Sequence, residues 1–216
     1  RQIPRGLSAH VDHSAAFGLN RGARLPLFFF PPMGHGKRML YIRSMVFNVL
    51  FYVVLIGLLV FGLPILAMNR HAVFWLARLW GRASIWLLDK ICGVKVEFRG
   101  LENIPQGGYI IAPKHQSIWE TFALLLHAPD FSYVLKRELT WLPLFGQYLW
   151  RAEQIAIDRA RGKSALNQVV ARARQLLADK RQLFIFPEGT RRPVAAPPAY
   201  KFGVAHLYRE TGMRLV

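Results

Sequence analysis

Tyr109-Ile110-Ile111-Ala112-Pro113-Lys114-His115-Gln116-Ser117-Ile118-Trp119-Glu120 decides how this 216-residue chain is read. Four apolar or aromatic residues after the Gly107-Gly108 break read as a buried strand. Pro113 holds the residue before it extended. Ser117-x-x-Glu120 has the form of a capping box, which opens a helix over residues 117–126. Strand, loop and helix thus follow within eighteen residues. The alternation recurs downstream, with strands at 131–135, 154–157 and 183–186 and helices at 142–150, 163–179 and 200–210. Leu166, Val169, Val170, Ala173, Leu176 and Leu177 fall on one side of the long helix. Val94-Lys95-Val96-Glu97-Phe98 alternates like a half-buried strand, and Met213 to Val216 would start another. The pattern predicts an α/β fold, a mixed sheet flanked by helices, with its sites at the carboxyl ends of the strands.

Outward from that core, the sequence upstream changes character. Met45 to Met68 is 24 residues without a charge, flanked by Arg43 and Arg70. At about 1.5 Å per residue, one such helix spans a hydrocarbon layer of roughly 30 Å. Gly62 and Pro64 near its far end also allow a kink and a return to the same face. His71 to Gly93 mixes Trp75, Trp80 and Trp86 with Arg78 and Arg82 on one face. It reads equally as a helix in the headgroup layer, paired with the first, or as an amphipathic core helix. Residues 39–93 are therefore expected to form an N-terminal hydrophobic two-helix membrane-binding motif before an α/β domain at 94–216. Residues 1–38 carry no periodicity and are expected to be disordered or foreign to the natural protein. The closing apolar run is read as a domain cut short.

The formal charge is +17, and +12 remains without the six Lys or Arg and one Asp of residues 1–38. An anionic partner fits this balance: nucleic acid, anionic lipid or a phosphorylated substrate. No nucleic-acid motif is present, so the expectation is no nucleic acid. Cys92 is the sole cysteine, which excludes an internal disulfide, and no ligand spacing implies a metal.

His115 lies just past the strand and Glu120 five residues later. Within one continuous helix that separation would keep the side chains apart, about 140° around the axis. They meet if His115 is in the loop and Glu120 in the first helical turn. A neutral imidazole can then take a hydroxyl proton while the carboxylate fixes its tautomer. Glu120 as a mere helix cap explains the same spacing. There is no Gly-x-Ser-x-Gly elbow and no cysteine near His115, so the nucleophile should belong to a substrate.

The strand at 183–186 runs into Pro187-Glu188-Gly189-Thr190-Arg191-Arg192. Glycine after a strand lets backbone N–H groups approach an anion, and arginine grips phosphate with two donors. Lys201, Lys136-Arg137 and Asp158-Arg159 also sit at strand or helix ends. Both a phosphate cradle and a solvated basic rim are consistent with this.

In these blocks the chain resembles the membrane-bound glycerolipid acyltransferases, and most closely the bacterial 1-acyl-glycerol-3-phosphate acyltransferases. His115 to Glu120 resembles that family's His-x4-Asp block, with Glu120 in the aspartate position. Glu153-Gln154-Ile155-Ala156-Ile157-Asp158-Arg159 is similar to its arginine-bearing block, with Glu153 where a small residue is usual. Phe186-Pro187-Glu188-Gly189-Thr190-Arg191 matches its third block, 73 positions after His115, and Tyr200-Lys201-Phe202-Gly203 is similar to the segment that follows. The resemblance implies that His115 deprotonates the free hydroxyl of lysophosphatidate, which attacks acyl-CoA or acyl-carrier protein, with Glu120 orienting the imidazole. It implies that Lys114, Arg159, Glu188, Gly189, Thr190, Arg191 and Lys201 bind substrate, and that acceptor contacts differ at Glu153. No cofactor is implied beyond the acyl thioester, and the place implied is the cytoplasmic side of a bacterial inner membrane. Partners would be lysophosphatidate, the acyl thioester, membrane lipids and acyl carrier protein. A different lysolipid acceptor, such as lyso-ornithine lipid, and a non-catalytic basic membrane scaffold are the competing readings.

Overall fold

The computed structural model describes residues 35–193 and 195–216. Residues 1–34, most of the segment expected to be disordered or foreign, lie outside them. Helix α1, His35–Phe61, holds the greater part of the charge-free run. Its stretch Arg38–Phe61 is long and apolar enough to cross a membrane, and 6% of its most apolar window is buried inside the chain. The run is not one helix, because α1 ends before Gly62. A Cβ at Gly62 would lie 2.5 Å from the Leu58 carbonyl oxygen and 2.7 Å from the Leu76 side chain, so only glycine lets the chain turn there. A 3-10 turn, Leu63–Ala67, carries Pro64 in its first positions. Asn69 then caps α2, Arg70–Leu87, by accepting the Ala72 N–H.

Helix α2 folds back along α1. A π turn, Leu88–Cys92, brings the Cys92 thiol to 3.9 Å from the Arg43 carbonyl oxygen at the start of the hairpin. Six positions of α2 are buried, among them Val73, Phe74 and Leu76, while Trp75 and Trp86 face outward. Arg78 and Arg82 lie one turn apart on α2, but only Arg82 is exposed. The Arg78 guanidinium donates to the carbonyls of Ala128 and Pro129 in the loop ahead of the second strand. The tip of the hairpin is likewise tied down: the Tyr148 hydroxyl donates to the Leu59 carbonyl at 2.7 Å, and Arg151 donates to the carbonyls of Leu66 and Met68.

The sheet has four strands: β1, Tyr109–Ile111; β2, Phe131–Lys136; β3, Ile155–Ile157; and β4, Gln182–Phe184, in the order β1-β4-β2-β3. The α/β class and the flanking helices agree with the sequence. The expected mixture of strand directions does not appear among the described residues, where every pairing is parallel. The reason is the connections. Helical segments, α3 (Trp119–Ala123), α4 (Phe145–Arg151) and α5 (Lys163–Ala178), return the chain to the start of each next strand. Leu215 adds a parallel bridge to Ile110 on the outer side of β1, where the sequence places another strand.

Residues 94–98 form no strand. Their alternation comes from Phe98, which stacks on Trp119 at 6.4 Å and meets His127 at 4.3 Å, between ring centroids. One apolar cluster joins the hairpin (Phe51, Phe74, Leu76) to α3 and the near sheet face (Phe122, Phe131, Tyr133). The other face carries α5 and α6, Phe202–Thr211, over Ile110, Leu183 and Ile185. At roughly 1.5–3 kcal/mol per fully buried large apolar side chain, the first cluster binds the hairpin firmly to the sheet.

Candidate active site

Parallel strands put their carboxyl ends on one edge. β1 and β4 are neighbours there, so the loop after β1 and the turn after β4 lie side by side. His115 is in the first and the Pro187-to-Arg191 segment in the second.

Glu120 sits in the first turn of α3, as the capping pattern requires, and is 7% exposed. Its Oε1 is 2.8 Å from His115 Nδ1 and accepts the N–H groups of Gln116 at 2.6 Å and Ser117 at 2.8 Å. The Ser117 hydroxyl donates to Oε2 at 2.9 Å and accepts the Trp119 N–H at 3.0 Å. One carboxylate thus both closes the turn ahead of α3 and orients the imidazole, while α3 itself starts after Ile118 with no side-chain cap bond. Burial pushes its pKa up, but the backbone N–H groups of Ser117 and of Glu120 itself, with His115 and the Ser117 hydroxyl, hold it below the usual carboxylate range. An ionised carboxylate only accepts, so the neutral His115 ring carries its proton on Nδ1 and Nε2 keeps a lone pair. The extra methylene of Glu120, relative to aspartate, does not prevent contact.

The imidazole rests on Phe186, with centroids 4.0 Å apart and planes 21° from parallel. Phe186 stacks in turn over Tyr133 at 6.3 Å, and Tyr133 over Phe184 at 4.5 Å. Tyr133 and Phe184 are register partners on β2 and β4. The sheet thus carries the base on an aromatic stack that sequence reading missed. The alternation of Phe184 and Phe186 was its one signal. Tyr133 donates its hydroxyl to the Thr121 carbonyl at 2.8 Å. Burial first, and the Glu120 carboxylate second, push its pKa upward, so it remains a phenol.

The turn after β4 is fixed by backbone bonds. The Gly189 N–H donates to the Phe186 carbonyl at 3.0 Å, and Gly189 has φ of +66°, a left-handed conformation suited to glycine. The Arg192 N–H donates to the His115 carbonyl at 2.8 Å, linking this turn to the histidine loop. Arg159, just beyond β3, donates a guanidinium N–H to the Gly189 carbonyl. The Lys201 stem lies over the same glycine, with Nζ 3.3 Å from where a Cβ would stand. Lys114 reaches the Ala196 carbonyl at 3.5 Å, Thr190 is exposed, and Glu188 is buried with neither carboxylate oxygen hydrogen-bonded among the described residues.

A cavity of about 500 Å³ opens at this edge and has His115, Arg159 and Arg191 in its lining. Its walls are otherwise mostly apolar and include Phe51 and Leu55 of α1, Phe74 and Trp80 of α2, Tyr133 and Phe145. A second hollow of about 540 Å³, between Asn103, Pro105, Tyr208 and the 214–216 segment, touches none of these site residues. The first therefore has the polar end and the long apolar body that suit a chain-bearing substrate with an anionic head.

Two residues of the sequence argument stand elsewhere. Arg137 is ion-paired with Asp158 at 3.2 Å and covers the Trp141 ring at 5.5 Å, so it is not a free phosphate ligand. Glu153 lies before β3, at the amino ends of the strands, and contributes nothing to the carboxyl-end site. It has φ of +54° and pairs with Arg181 at 2.5 Å and Arg70 at 3.7 Å. That left-handed backbone is a conformation glycine adopts more readily than glutamate. The Glu153 carboxylate serves a buried cation that the sequence reading did not flag.

Comparison with known proteins gives the chain's family and shared fold. The family model described as Acyltransferase matches residues 95–216. A 1-acyl-sn-glycerol-3-phosphate acyltransferase of Pseudomonas aeruginosa is 42% identical over 134 residues, 62% of this chain and 52% of that protein. The mouse 1-acyl-sn-glycerol-3-phosphate acyltransferase alpha is 33% identical over 117 residues, 53% of this chain and 41% of that one. The chain spans about half the length of these relatives. The crystal structure of a 1-acyl-sn-glycerophosphate (LPA) acyltransferase from Thermotoga maritima shares the fold, with a TM-score of 0.67 at 21% identity, over 82% of this chain and 73% of that one.

Proposed function

This chain belongs to the acyltransferase family, and on that premise we propose that it transfers a fatty acyl group from acyl-CoA or acyl-carrier protein to the free hydroxyl of 1-acyl-sn-glycerol-3-phosphate. The observation that carries the reading is His115, held by Glu120 at 2.8 Å and lining one cavity with Arg159 and Arg191. His115 Nε2 takes the hydroxyl proton as the oxygen attacks the thioester carbonyl carbon. Glu120 holds the imidazolium that forms. The tetrahedral intermediate expels the thiolate as the C–S bond breaks, and the imidazolium returns its proton to that sulfur. Arg159 and Arg191, with Lys201 and Lys114 in support, hold the acceptor phosphate, and the Glu188-Gly189-Thr190 turn shapes their approach. The step needs no cofactor beyond the acyl thioester. The apolar walls receive hydrocarbon, and α1 keeps the site at the membrane where acceptor and product reside. We place the site on the cytoplasmic side of a bacterial inner membrane, where acyl thioesters are made.

The test is acylation by the purified chain in vesicles, with lysophosphatidate and lyso-ornithine lipid offered separately and each acyl donor tried in turn. Phosphatidate from lysophosphatidate supports the reading. Acylation of the lyso-ornithine lipid alone replaces the acceptor. Acylation of neither, by a folded membrane-bound chain, favours the scaffold.

A further inference from the structure

We propose that the segment from Arg137 to Arg151 is a second bilayer-contact surface, continuous with the hairpin, whose Trp141 and Trp150 seat in the lipid headgroup layer. Trp150 is 80% exposed and Trp141 65%, and Leu142 beside Trp141 is also exposed. Single exposed apolar residues are ordinary, but contiguous ones mark a contact surface. Contiguity is set by the bonds that flank Trp150. Tyr148 donates to the Leu59 carbonyl, and Arg151 donates to Leu66 at 3.2 Å and to Met68. These bonds fasten α4 to the hairpin tip, where Phe61 is 87% and Met68 55% exposed. An apolar band therefore runs from α1, across the tip, to α4 and the turn Arg137–Trp141.

The occupant is a lipid bilayer because the band continues the face of a helix long and apolar enough to enter one. Indole suits the headgroup layer, having an apolar body and one N–H donor. Arg137, 5.5 Å from the Trp141 ring centroid and ion-paired with Asp158, backs that indole. The inner side of this segment, Phe145 and Leu149, walls the cavity. Lipid contact on the outside thus sets one wall of the acyl-binding space at the bilayer surface. This positions the cavity for lateral entry of a lipid acceptor, and that consequence rests on the acceptor reading above.

The experiment uses Cys92→Ser chain carrying a nitroxide at Trp141→Cys, Trp150→Cys or, as control, Gln168→Cys on the exposed side of α5. It is reconstituted in vesicles of phosphatidylcholine and phosphatidylglycerol. Labels at 141 and 150 are expected to favour collisions with oxygen over a water-soluble nickel chelate, with the control reversed. Water-like accessibility at 141 and 150 overturns the proposal. Spin–spin broadening there, from a second copy of the chain, also overturns it. Since this readout needs no turnover, it stands apart from the acceptor assay. A Trp141→Ala/Trp150→Ala chain adds a kinetic arm. Its KM for vesicle-borne lysophosphatidate should rise about tenfold, from losing two large apolar contacts, with no change for a short-chain monomeric acceptor. A Trp→Phe pair should restore most of that loss. An equal KM change for both acceptors would point to a distorted site and overturn the proposal.

Discussion

The two ends of the same sheet carry the same residue types and use them in opposite ways. At the amino ends, Arg181 is 1% exposed, and its guanidinium lies 2.8 Å from Asp130 and 2.5 Å from Glu153, with Arg70 3.0 Å from Asp130. Positive and negative groups are matched there around the one enclosed guanidinium, that of Arg181. At the carboxyl ends, the one buried carboxylate with a charged task, Glu120, serves an imidazole, and Arg191 remains exposed on the cavity. Matched charge in the interior holds parts together. Cations left open at a cavity hold something else. Pairing, and not residue type, separates scaffold from site.

Substitutions should divide along that line. His115→Ala should keep the fold and lose roughly 10²–10⁴ in turnover, the range for removing a general base, measured as phosphatidate formed per folded protein. Arg181→Ala should do the reverse. It removes the buried cation from between Asp130 and Glu153, which keep only Arg70, and should cost about 3 kcal/mol of stability, read as a lower midpoint in denaturant. The protein that remains folded should keep its turnover. If Arg181→Ala instead abolished turnover at unchanged stability, the division between the two ends would be wrong.

Glu120 has a foot in both categories, since it holds the turn before α3 and orients His115. Glu120→Gln should cost about two orders of magnitude in turnover, because an amide can present its N–H₂ to Nδ1 and favour the wrong tautomer. Its pKa in the folded protein lies below the ordinary carboxylate value. Its stabilising contribution is therefore complete above about pH 4.3 and is lost as pH falls through the depressed folded value. Thermal melts from pH 7 down to 2 should show an acid limb for the native chain that is shallower in Glu120→Gln.

The smallest expected effect is at Glu153. Glycine there would relieve a left-handed backbone, a gain of about 1 kcal/mol, and remove one carboxylate from Arg181, a loss of similar or greater size. Glu153→Gly should lower the midpoint modestly and leave the KM for lysophosphatidate unchanged. A large KM change would return this residue to the acceptor site.

Much of the site could be read from sequence because its signals are local. The Ser-x-x-Glu pattern put Glu120 in a first helical turn, and Pro113 put His115 just past a strand, so the pair could be expected there, with a mere helix cap as the alternative. The periodicity of 163–179 likewise fixed α5, Lys163–Ala178. What escaped depends on partners far along the chain. Alternation at Val94 to Phe98 suggests a covered face, but Val94 is exposed and Phe98 is covered by Trp119 and His127, not by a strand. Strand direction is set by the helices between strands, to which a two-residue repeat is blind. Arg181 reads as an ordinary basic residue at a helix end until Asp130 and Glu153, 51 and 28 positions away, fold against it. The cavity walls come from α1, α2 and the sheet together, and only the first announced itself as apolar.

The most direct test is a structure of the chain with lysophosphatidate bound. The account predicts the phosphate against the guanidinium groups of Arg159 and Arg191, the acyl chain between α1 and the sheet, and the free hydroxyl within hydrogen-bonding reach of His115 Nε2. A phosphate seated away from those arginines, or a hydroxyl remote from the imidazole, would contradict it.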